Sequence, residues 1–469
     1  MRAAFITFLL FTCLVLSSQS YNYYFGNLHS HTGFSDGSQD SLTSGISTPA
    51  GAYTFAKASQ NFNFLGISEH NHYSSNNNPG FQIQSWPIGI AQSNAANDEG
   101  NFLCLFGMEW GVSSNYHGHV LVYNYPQLIG WENNNYQVFN GKDDYDGLFR
   151  KIKNQPGAFC TLAHPGGSDF SNDNTSSTAL LYSPYNATYD SAIVAVPLRN
   201  GLYNTTTTNY TAYPASNYFW YYKSMLAKGY HLGINYDHDN HMTTFGRNNA
   251  GRMVVVMPTL TRTEFFNAVH AMRFYASDDW NAKVEFKMNN NWMGSVLNGT
   301  VNPSFTVLHN DMDGELADSI KIWRGISNDV NPATIVSITK SNNTSSYTDN
   351  NMVNGNEYYY FAEIKQADGQ WIVTSPIWYK NTLPQGIKEN EPGIKLNFFP
   401  NPVNQDLSIS VDDCELYTVV ITDITGKEVL KDSFNEKDHT ISIRNLEAGT
   451  YFLKVSSGNK MVVKKLVVE

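Results

Sequence analysis

The first half of the chain alternates short apolar runs with stretches in which apolar residues recur at helical spacing. Runs of strand length lie at residues 62–67, 102–106, 158–163 and 230–234. Helices are predicted between them at residues 49–60, 144–153 and 216–228, the first with Thr48 as its N-cap and Pro49 at its first position. This alternation predicts an α/β domain with a largely parallel sheet or barrel over residues 21–281.

The pattern changes near residue 282. From there to residue 380, short runs separated by Asn, Gly and Asp turns predict a β-sandwich without long helices. A polar linker is predicted at residues 381–394. Residues 395–469 contain further closely spaced strands, which predict a second all-β unit with a core of its own.

Composition narrows the class of protein. The chain has 469 residues, of which 41% are hydrophobic and 15% are charged, so it is not a disordered protein. A formal charge of −11 argues against a protein that coats nucleic acid. An acidic chain can still bind an anionic substrate where a metal ion supplies the local positive charge.

The N-terminus predicts export. A basic residue, an apolar run at residues 3–16 and a small polar exit form the pattern of a signal peptide over residues 1–20. No later segment reaches the roughly 18–20 apolar residues of a membrane-spanning helix. Cys13 lies inside the signal segment, and Cys104, Cys160 and Cys414 are expected to be isolated buried thiols, with a Cys104–Cys160 bridge left open.

Histidines and carboxylates cluster in the first half of the chain. Ten of the 13 histidines lie between His29 and His241, and most follow a predicted strand. Since the carboxyl ends of strands form the functional face of α/β sheets and barrels, these side chains are expected on one rim. Imidazoles and carboxylates without thiolates suit Zn²⁺, Mn²⁺ or Fe, and their number predicts more than one ion. Glu109, alone on its strand, fits the role of a bridging ligand.

Some histidines of this region are weaker candidates. A single histidine after a strand is most often packed or solvent-facing, so the joint pattern carries the prediction. His231 is expected to pack against its strand. His72, His117 and His238 are candidates for supporting the ligands from outside.

The same region contains a series of short motifs. They are Leu28-His29-Ser30-His31 with Ser35-Asp36-Gly37, Ser68-Glu69-His70, Gly107-Met108-Glu109-Trp110, Gly118-His119-Val120, Ala163-His164-Pro165, Asp239-Asn240-His241 and a closing helix near Leu260–Ala276. Together they resemble the polymerase and histidinol phosphatase (PHP) family of metal-dependent phosphoesterases, most closely the branch that includes carbaryl hydrolase. The resemblance covers roughly residues 23–379.

The resemblance implies a distorted (β/α)7 barrel that holds two or three divalent metal ions. The implied ligands are His29, His31, Asp36, His70, Glu109, His119, His164, Asp239 and His241. The second motif departs from the commoner Thr-Asp-His but keeps His70. The last motif offers both Asp237 and Asp239, and the spacing to His241 favours Asp239.

A hydrolytic mechanism follows as a hypothesis. Paired metals lower the pKa of bound water to about 7 and stabilise charge on a tetrahedral centre, with Glu109 and Asp239 as catalytic ligands. Arg252, or Arg247, is a candidate for neutralising an anionic substrate. The alternative, given equal weight, is that both are ordinary surface arginines. His72 or His117 is a candidate for protonating the leaving group.

Three functions stay open at this point. The leading one is a phosphoesterase acting on a small-molecule, glycan-linked or lipid-linked ester held by aromatic and Asn-rich loops around residues 182–222. The first alternative is hydrolysis of a carboxyl or carbamate ester or an amide on the same fold. The second is a non-catalytic surface-binding protein, which has little use for a metal cluster with open positions.

The C-terminal unit contains three motifs in order, which are Phe398-Phe399-Pro400-Asn401-Pro402, Ile424-Thr425-Gly426-Lys427 and Leu446-Glu447-Ala448-Gly449-Thr450-Tyr451. With these motifs the unit resembles the sorting domain of type IX secretion substrates. The resemblance implies contact with the type IX secretion machinery and export through the periplasm and outer membrane, to the cell surface or outside.

Overall fold

The computed structural model describes residues 20–72, 83–113, 117–166, 169–170, 185–329, 331–382, 394–458 and 460–469. The predicted signal peptide, apart from Ser20, lies outside the described residues. So do most of the predicted linker and the start of the predicted substrate loops, at residues 182–184.

Strand is the dominant secondary structure, at 41% against 14% for helix. The helices are α1 (Ser41–Ser44), α2 (Pro49–Ala56), α3 (Ser85–Ala96), α4 (Tyr145–Asn154), α5 (Ala187–Ala192), α6 (Phe219–Ala227) and α7 (Arg262–His270). Thr48 caps α2 as predicted, since its side chain accepts a hydrogen bond from the Gly51 amide.

The strands up to residue 277 are β1 (Asn22–Asn27), β2 (Phe64–His70), β3 (Leu103–Trp110), β4 (Val120–Tyr123), β5 (Ile129–Gly130), β6 (Val138–Phe139), β7 (Phe159–Leu162), β8 (Ile193–Asn200), β9 (Gly233–Asp237), β10 (Arg252–Met257) and β11 (Phe274–Ser277). The strands that follow are β12 (Lys283–Met288), β13 (Asn291–Trp292), β14 (Val296–Gly299), β15 (Ser304–Asn310), β16 (Ala317–Ile326), β17 (Thr334–Lys340), β18 (Thr344–Thr348), β19 (Glu357–Gln366), β20 (Trp371–Thr374) and β21 (Ile377–Asn381). The last strands are β22 (Leu396–Phe399), β23 (Asp406–Val411), β24 (Tyr417–Thr422), β25 (Glu428–Phe434), β26 (Asp438–Ser442), β27 (Gly449–Ser457) and β28 (Lys460–Val468).

The principal sheet is mixed, which corrects the expectation of a largely parallel one. Its central order is β11-β10-β1-β2-β3-β4-β7-β8-β9. Strands β1, β2 and β3 are mutually parallel, as are β7, β8 and β9, but β4 runs antiparallel to both of its neighbours. Only residues 111–119 separate β3 from β4, which is too short for the crossover that parallel strands need.

Part of the chain after residue 282 continues this sheet through β14, β16, β17, β19, β20 and β21, whereas a separate four-stranded sheet has the order β13-β12-β15-β18. Strand β20 pairs with β11, and β19 pairs with β20, β16 and β21. The chain divides into two compact units, Met1–Leu383 and Pro384–Glu469. The expected change at residue 282 is therefore a change in secondary-structure content inside the first unit.

Strand β10 shows how one sheet separates two cores. Met253, Val255 and Met257 face the core that also contains α4, α6 and α7. Val254 and Val256 face a second core, built with β12, β15, β16 and β19. Because both faces of the strand are covered, its residues 253–257 form a continuous apolar run, and each buried Val or Met side chain contributes about 1.5–3 kcal/mol.

The second unit packs two antiparallel sheets. Their orders are β22-β23-β26 and β25-β24-β27-β28. Alternate residues such as Leu407, Val419, Ile421, Leu453 and Leu466 form its core. This all-β unit agrees with the sequence expectation for residues 395–469.

The three described cysteines are free. Cys104 and Cys160 are buried, as expected, and no bridge joins them. Cys414 is exposed, which corrects the expectation of a buried thiol. Among the described residues, no helix has both the length and the apolar character needed to span a membrane.

His231 links three elements of the first unit. It packs on Trp378, and its ring nitrogens lie 3.2 Å from Asp190 Oδ2 in α5 and 3.3 Å from Glu357 Oε1 in β19. Burial opposes the charged ring, but the two carboxylates outweigh it and raise the pKa of His231 to about 9. The predicted strand packing is thus accompanied by two ion pairs.

We expect His231→Gln to destabilise the protein in a pH-dependent way. Because the folded pKa lies above the unfolded value of about 6.5, the stabilisation is fully present below pH 6.5 and is lost as the pH rises through about 9. Urea unfolding should give a loss of about 1–2 kcal/mol at pH 6 that shrinks towards zero at about pH 9.5. His270→Gln, at an exposed histidine, is the control. An equal loss at both pH values would contradict the charged pair.

Candidate metal centre

The nine predicted ligands lie on one rim of the principal sheet. There β1, β2, β3, β7 and β9 end and the antiparallel β4 begins, so their terminal residues converge. All nine belong to four overlapping groups whose ligand atoms lie within 4.8 Å of one another. The nine are His29, His31, Asp36, His70, Glu109, His119, His164, Asp239 and His241.

The tightest group joins two histidines and two carboxylates. The Nε2 atoms of His29 and His31 each lie 3.1 Å from Glu109 Oε2. The same nitrogens lie 3.2 and 3.3 Å from Asp239 Oδ1. Ligand atoms around a tetrahedral ion with bonds of about 2.0–2.2 Å are separated by roughly 3.3–3.6 Å, so these spacings suit one ion.

Glu109 faces two groups with its two oxygens. Oε2 lies close to His29, His31 and also His70 Nδ1, at 3.4 Å from the last. Oε1 lies 3.4 Å from His119 Nδ1 and 3.2 Å from His164 Nε2. A carboxylate whose two oxygens face separate groups of imidazoles has the geometry of a bridging ligand.

A further group forms around Asp36. Its Oδ2 lies 3.3 Å from His241 Nε2 and 3.7 Å from His70 Nε2, and its Oδ1 lies 3.9 Å from His31 Nδ1. The rim therefore offers three carboxylate-containing groups of ligand atoms, in which His31 links the Asp36 group to the Asp239 group and Glu109 links the Asp239 group to the His164 group.

Two hydrogen bonds define which nitrogen of a histidine is free to bind. The backbone oxygen of Asp239 lies 2.8 Å from His241 Nδ1 and can only accept, so that nitrogen carries the proton and Nε2 presents its lone pair to the Asp36 side. Asp169 Oδ2 lies 2.8 Å from His164 Nδ1 and has the same effect on that ring. Such outer bonds orient metal-binding imidazoles.

Burial and charge together set the ionisation of the cluster. Burial opposes the charged forms of Glu109 and Asp239, but the surrounding histidines outweigh it and hold both carboxyl pKa values well below their usual range. Burial lowers the pKa of His29 and of His70, whereas the neighbouring carboxylates outweigh burial and raise the pKa of His31, His119, His164 and His241. Metal ions bind the neutral imidazole, so protons and cations would compete for these four rings.

Within the described ranges of the chain, many buried polar atoms of the rim have no hydrogen-bond partner. Both ring nitrogens of His29, His31 and His119 and one oxygen of Glu109 are in this state. Buried polar groups without partners are rare because they are costly, at about 1–3 kcal/mol each. Their concentration here fits ligands for cations.

Two of the nine residues have left-handed backbone. His164 has φ of 33° and Asp239 has φ of 51°. Such residues cost about 1–3 kcal/mol and cluster at functional sites. Asp239 is also the carboxylate that faces His29 and His31, whereas Asp237 lies 3.9 Å from His29 and bonds to Asn235.

Asp169 is a site residue that the sequence reasoning missed. It is fully buried, and its Oδ2 lies 3.1 Å from His119 Nδ1 and 2.8 Å from His164 Nδ1. The only sequence signal is an acidic residue shortly after His164.

Glu69 precedes His70 in the second motif, at the position where aspartate is commoner. It is fully buried and accepts hydrogen bonds from the Thr32 amide and from the hydroxyls of Thr32 and Ser35. It thereby holds the loop that carries His31 and Asp36.

The prediction that Arg252 neutralises an anionic substrate is wrong. Its side chain is fully buried and donates to the backbone oxygens of Asn249, Gly251 and Gly246, beside the ring of Phe62. A guanidinium occupied by carbonyl groups is structural and is not available to an anionic substrate. Arg247 is likewise engaged, with Ser59 and the Phe55 oxygen.

The three weaker histidines differ in position. His72 forms a group with His70 and His119 and stacks on Trp131. Burial lowers its pKa to about 4, which disfavours the doubly protonated ring that a general acid near pH 7 would need. His117 stacks on Tyr145, and His238 bonds to the Gly251 oxygen, so neither joins the described ligand groups.

Comparison with family models identifies the second unit. Residues 397–469 match the secretion system C-terminal sorting domain. The C-terminal unit is a type IX sorting domain. The chain is therefore exported by type IX secretion to the cell surface or outside, and it interacts with that machinery.

No curated protein matches the chain. Solved structures similar to parts of it include the fibronectin(III)-like modules of Clostridium thermocellum CbhA, at 14% identity, 39% of this chain, 94% of that chain and a TM-score of 0.15. The FN1-FN3 domains of chicken CNTN1 match at 10% identity over 40% of this chain and 65% of that one, with a TM-score of 0.16. A β-glucuronidase of Parabacteroides merdae matches at 8% identity over 48% and 27%, with a TM-score of 0.15.

Proposed function

We propose that the first unit is an exported metal-dependent hydrolase of the phosphoesterase type, holding two or three divalent ions of Zn, Mn or Fe. The observation that carries the proposal is the position of Glu109, whose two oxygens face separate imidazole groups. The unpartnered buried nitrogens around it are the donors that such ions require.

We also propose a distorted (β/α)7 barrel as the framework of this site. Curling of the principal sheet supports it, since β9 lies beside β10 and β11 at the other end of the central order. A parallel bridge between Ser30 and Asn240 joins the loops after β1 and β9. Closure of this kind gathers ligands from the first and last strands.

In the proposed reaction, the residues of the chain hold and orient the metal ligands, and they do not themselves transfer charge. Bound divalent ions would supply an acidified water and stabilise developing negative charge on the substrate. Asp169 and the Asp239 carbonyl fix the imidazole orientations of His164 and His241. Asn200 donates to Asp239 Oδ2 at 3.0 Å and holds that carboxylate in place.

Two exposed aromatic side chains flank the rim and suit a substrate with an apolar or ring-shaped part. Tyr203 lies edge-on to His241, with 6.3 Å between the ring centroids. Trp220 lies beside Gly166, two residues after His164. They are about half exposed, at 51% and 47%. The substrate we propose is a small-molecule, glycan-linked or lipid-linked ester.

The test is hydrolysis by protein stripped with chelator and reloaded separately with Mn²⁺, Zn²⁺ and Fe²⁺. The panel contains a chromogenic phosphomonoester, a phosphodiester, a carboxyl ester and a carbamate. We expect metal-dependent turnover of a phosphate ester at least 100-fold above the stripped protein, whose fold is checked by circular dichroism.

The other outcomes are also informative. Turnover of only the carboxyl ester or carbamate would keep the site and replace the proposed bond. A folded, metal-loaded protein without turnover of any of these esters would count against hydrolysis and favour a binding protein.

A further inference from the structure

A second cluster of oxygen ligands lies away from the histidine rim. Asp279 follows β11, and Asp311 and Glu315 lie in the turn after β15. Their carboxylates place one oxygen each within 4.8 Å of the others. Asp279 and Asp311 are buried, at 4% and 7% exposure. In the described part of the chain, no Lys, Arg or His forms an ion pair with any of the three.

A buried amide points into the same place. Gln366, at the end of β19, is 1% exposed, and its Nε2 lies 3.1 Å from Asp279 Oδ2 and 3.3 Å from Asp311 Oδ2. Its Oε1 is buried and has no hydrogen-bond partner among the residues that the structure describes. The two ends of an amide are interchangeable in shape, so rotation of the terminal group would turn this oxygen towards both carboxylates.

The turn itself supplies further oxygens. Asp311, Asp313 and Glu315 alternate along the chain around Gly314, whose φ of +84° favours glycine. Asp311 Oδ1 accepts from the amides of Asp313 and Glu315, which leaves Oδ2 on the Gln366 side. Burial, together with the neighbouring Asp311, raises the pKa of Asp279, as expected for like charges without a counterion.

We propose that Asp279, Asp311 and Glu315, with the amide oxygen of Gln366, bind a calcium ion. The donors are all oxygens, which hard cations prefer and which distinguish this cluster from the imidazole-rich rim. Calcium accepts six to eight oxygens in irregular geometry, whereas magnesium demands a near-ideal octahedron. The exported location places the cluster where extracellular calcium sites of modest affinity operate.

The ion would tie together three segments of the first unit. These are the chain after β11, the turn after β15 and the end of β19. Asp278, next to Asp279, pairs with Arg199 at 2.7 Å, and Arg199 precedes the Asn200 that holds Asp239. Calcium binding therefore stabilises the part of the unit that supports the rim, and it does not depend on the proposed hydrolase function.

The test is calorimetric titration of CaCl₂ into the chelator-stripped full chain, with thermal unfolding in parallel. We expect one calcium per chain with a Kd of about 10⁻⁴–10⁻³ M and a rise in Tm of a few degrees at saturation. Magnesium should give a smaller rise. Asp311→Asn and the milder Glu315→Gln, at a partly buried position, should each weaken binding at least ten-fold.

Two controls isolate the cluster. Asp318→Asn changes an exposed aspartate of β16 and should bind calcium as the unchanged chain does. His70→Ala alters the rim and should also retain calcium binding. Loss of binding in His70→Ala, equal binding in Glu315→Gln and the unchanged chain, or no binding at millimolar calcium would overturn the proposal. If no calcium binds at millimolar concentration, the carboxyl groups of the cluster are held together by shared protons and not by a cation.

Discussion

Glu109→Gln is expected to abolish hydrolysis while leaving the protein folded. The amide keeps the size of the side chain but removes the charge, and it replaces one of the two oxygens that face the imidazole groups. We expect kcat/KM to fall at least 10³-fold, which corresponds to about 4 kcal/mol of lost transition-state stabilisation. Bound metal, measured by mass spectrometry, should fall by at least one ion per chain.

The matched control is Glu99→Gln. Glu99 is exposed and accepts from the Arg262 amide through one oxygen, a bond that glutamine can also accept. Its activity and metal content should be unchanged. Unaltered activity and metal content in Glu109→Gln would remove Glu109 from the proposed centre.

His31→Ala is expected to cost more metal than any substitution at the edge of the cluster. His31 belongs to two of the ligand groups, whereas His164 belongs to one. We expect a loss of about two ions per chain in His31→Ala and about one in His164→Ala, with activity lost at least 10²-fold in both. Metal content by mass spectrometry, with circular dichroism to confirm folding, measures the difference.

A second variant and a control accompany this comparison. His31→Gln keeps more of the buried volume and should lose the same ions if the alanine variant folds poorly. His270→Ala, at an exposed histidine of α7, should keep its full metal content. Equal metal loss in His31→Ala and His164→Ala would contradict a shared ligand at His31.

The positions of several elements could be predicted because their signals are local. The Thr48-Pro49 start placed α2, and apolar runs placed β2, β3, β7 and β9 to within a few residues. The sorting domain could be recognised from three short motifs and is confirmed. The nine candidate ligands could be chosen because they lie beside predicted strand ends, although their role as metal ligands stays a prediction.

Other features depend on contacts between distant parts of the chain. The side chain of Arg252 donates to backbone carbonyls of the loop at residues 246–251, which folds back over it. Although Arg252 lies close to the last histidine motif in the sequence, its role is therefore structural. Asp169 reaches His119 across 50 positions, and Gln366 reaches Asp279 across 87. Neither pair has a spacing that a sequence pattern reveals.

By itself, the sequence determined three features: the export signal at the C-terminus, the β character of the second half, and a set of histidines and carboxylates suited to one rim. These features could be identified because apolar periodicity, turn residues and short motifs are properties of neighbouring residues. Only the tertiary structure decided that β4 runs antiparallel to its neighbours and that β20 pairs with β11. It also decided that the two oxygens of Glu109 face different groups of histidines and that Gln366 points at buried carboxylates. Strand pairing and side-chain convergence arise from packing between segments far apart in the chain, where many partners are compatible with the same local pattern.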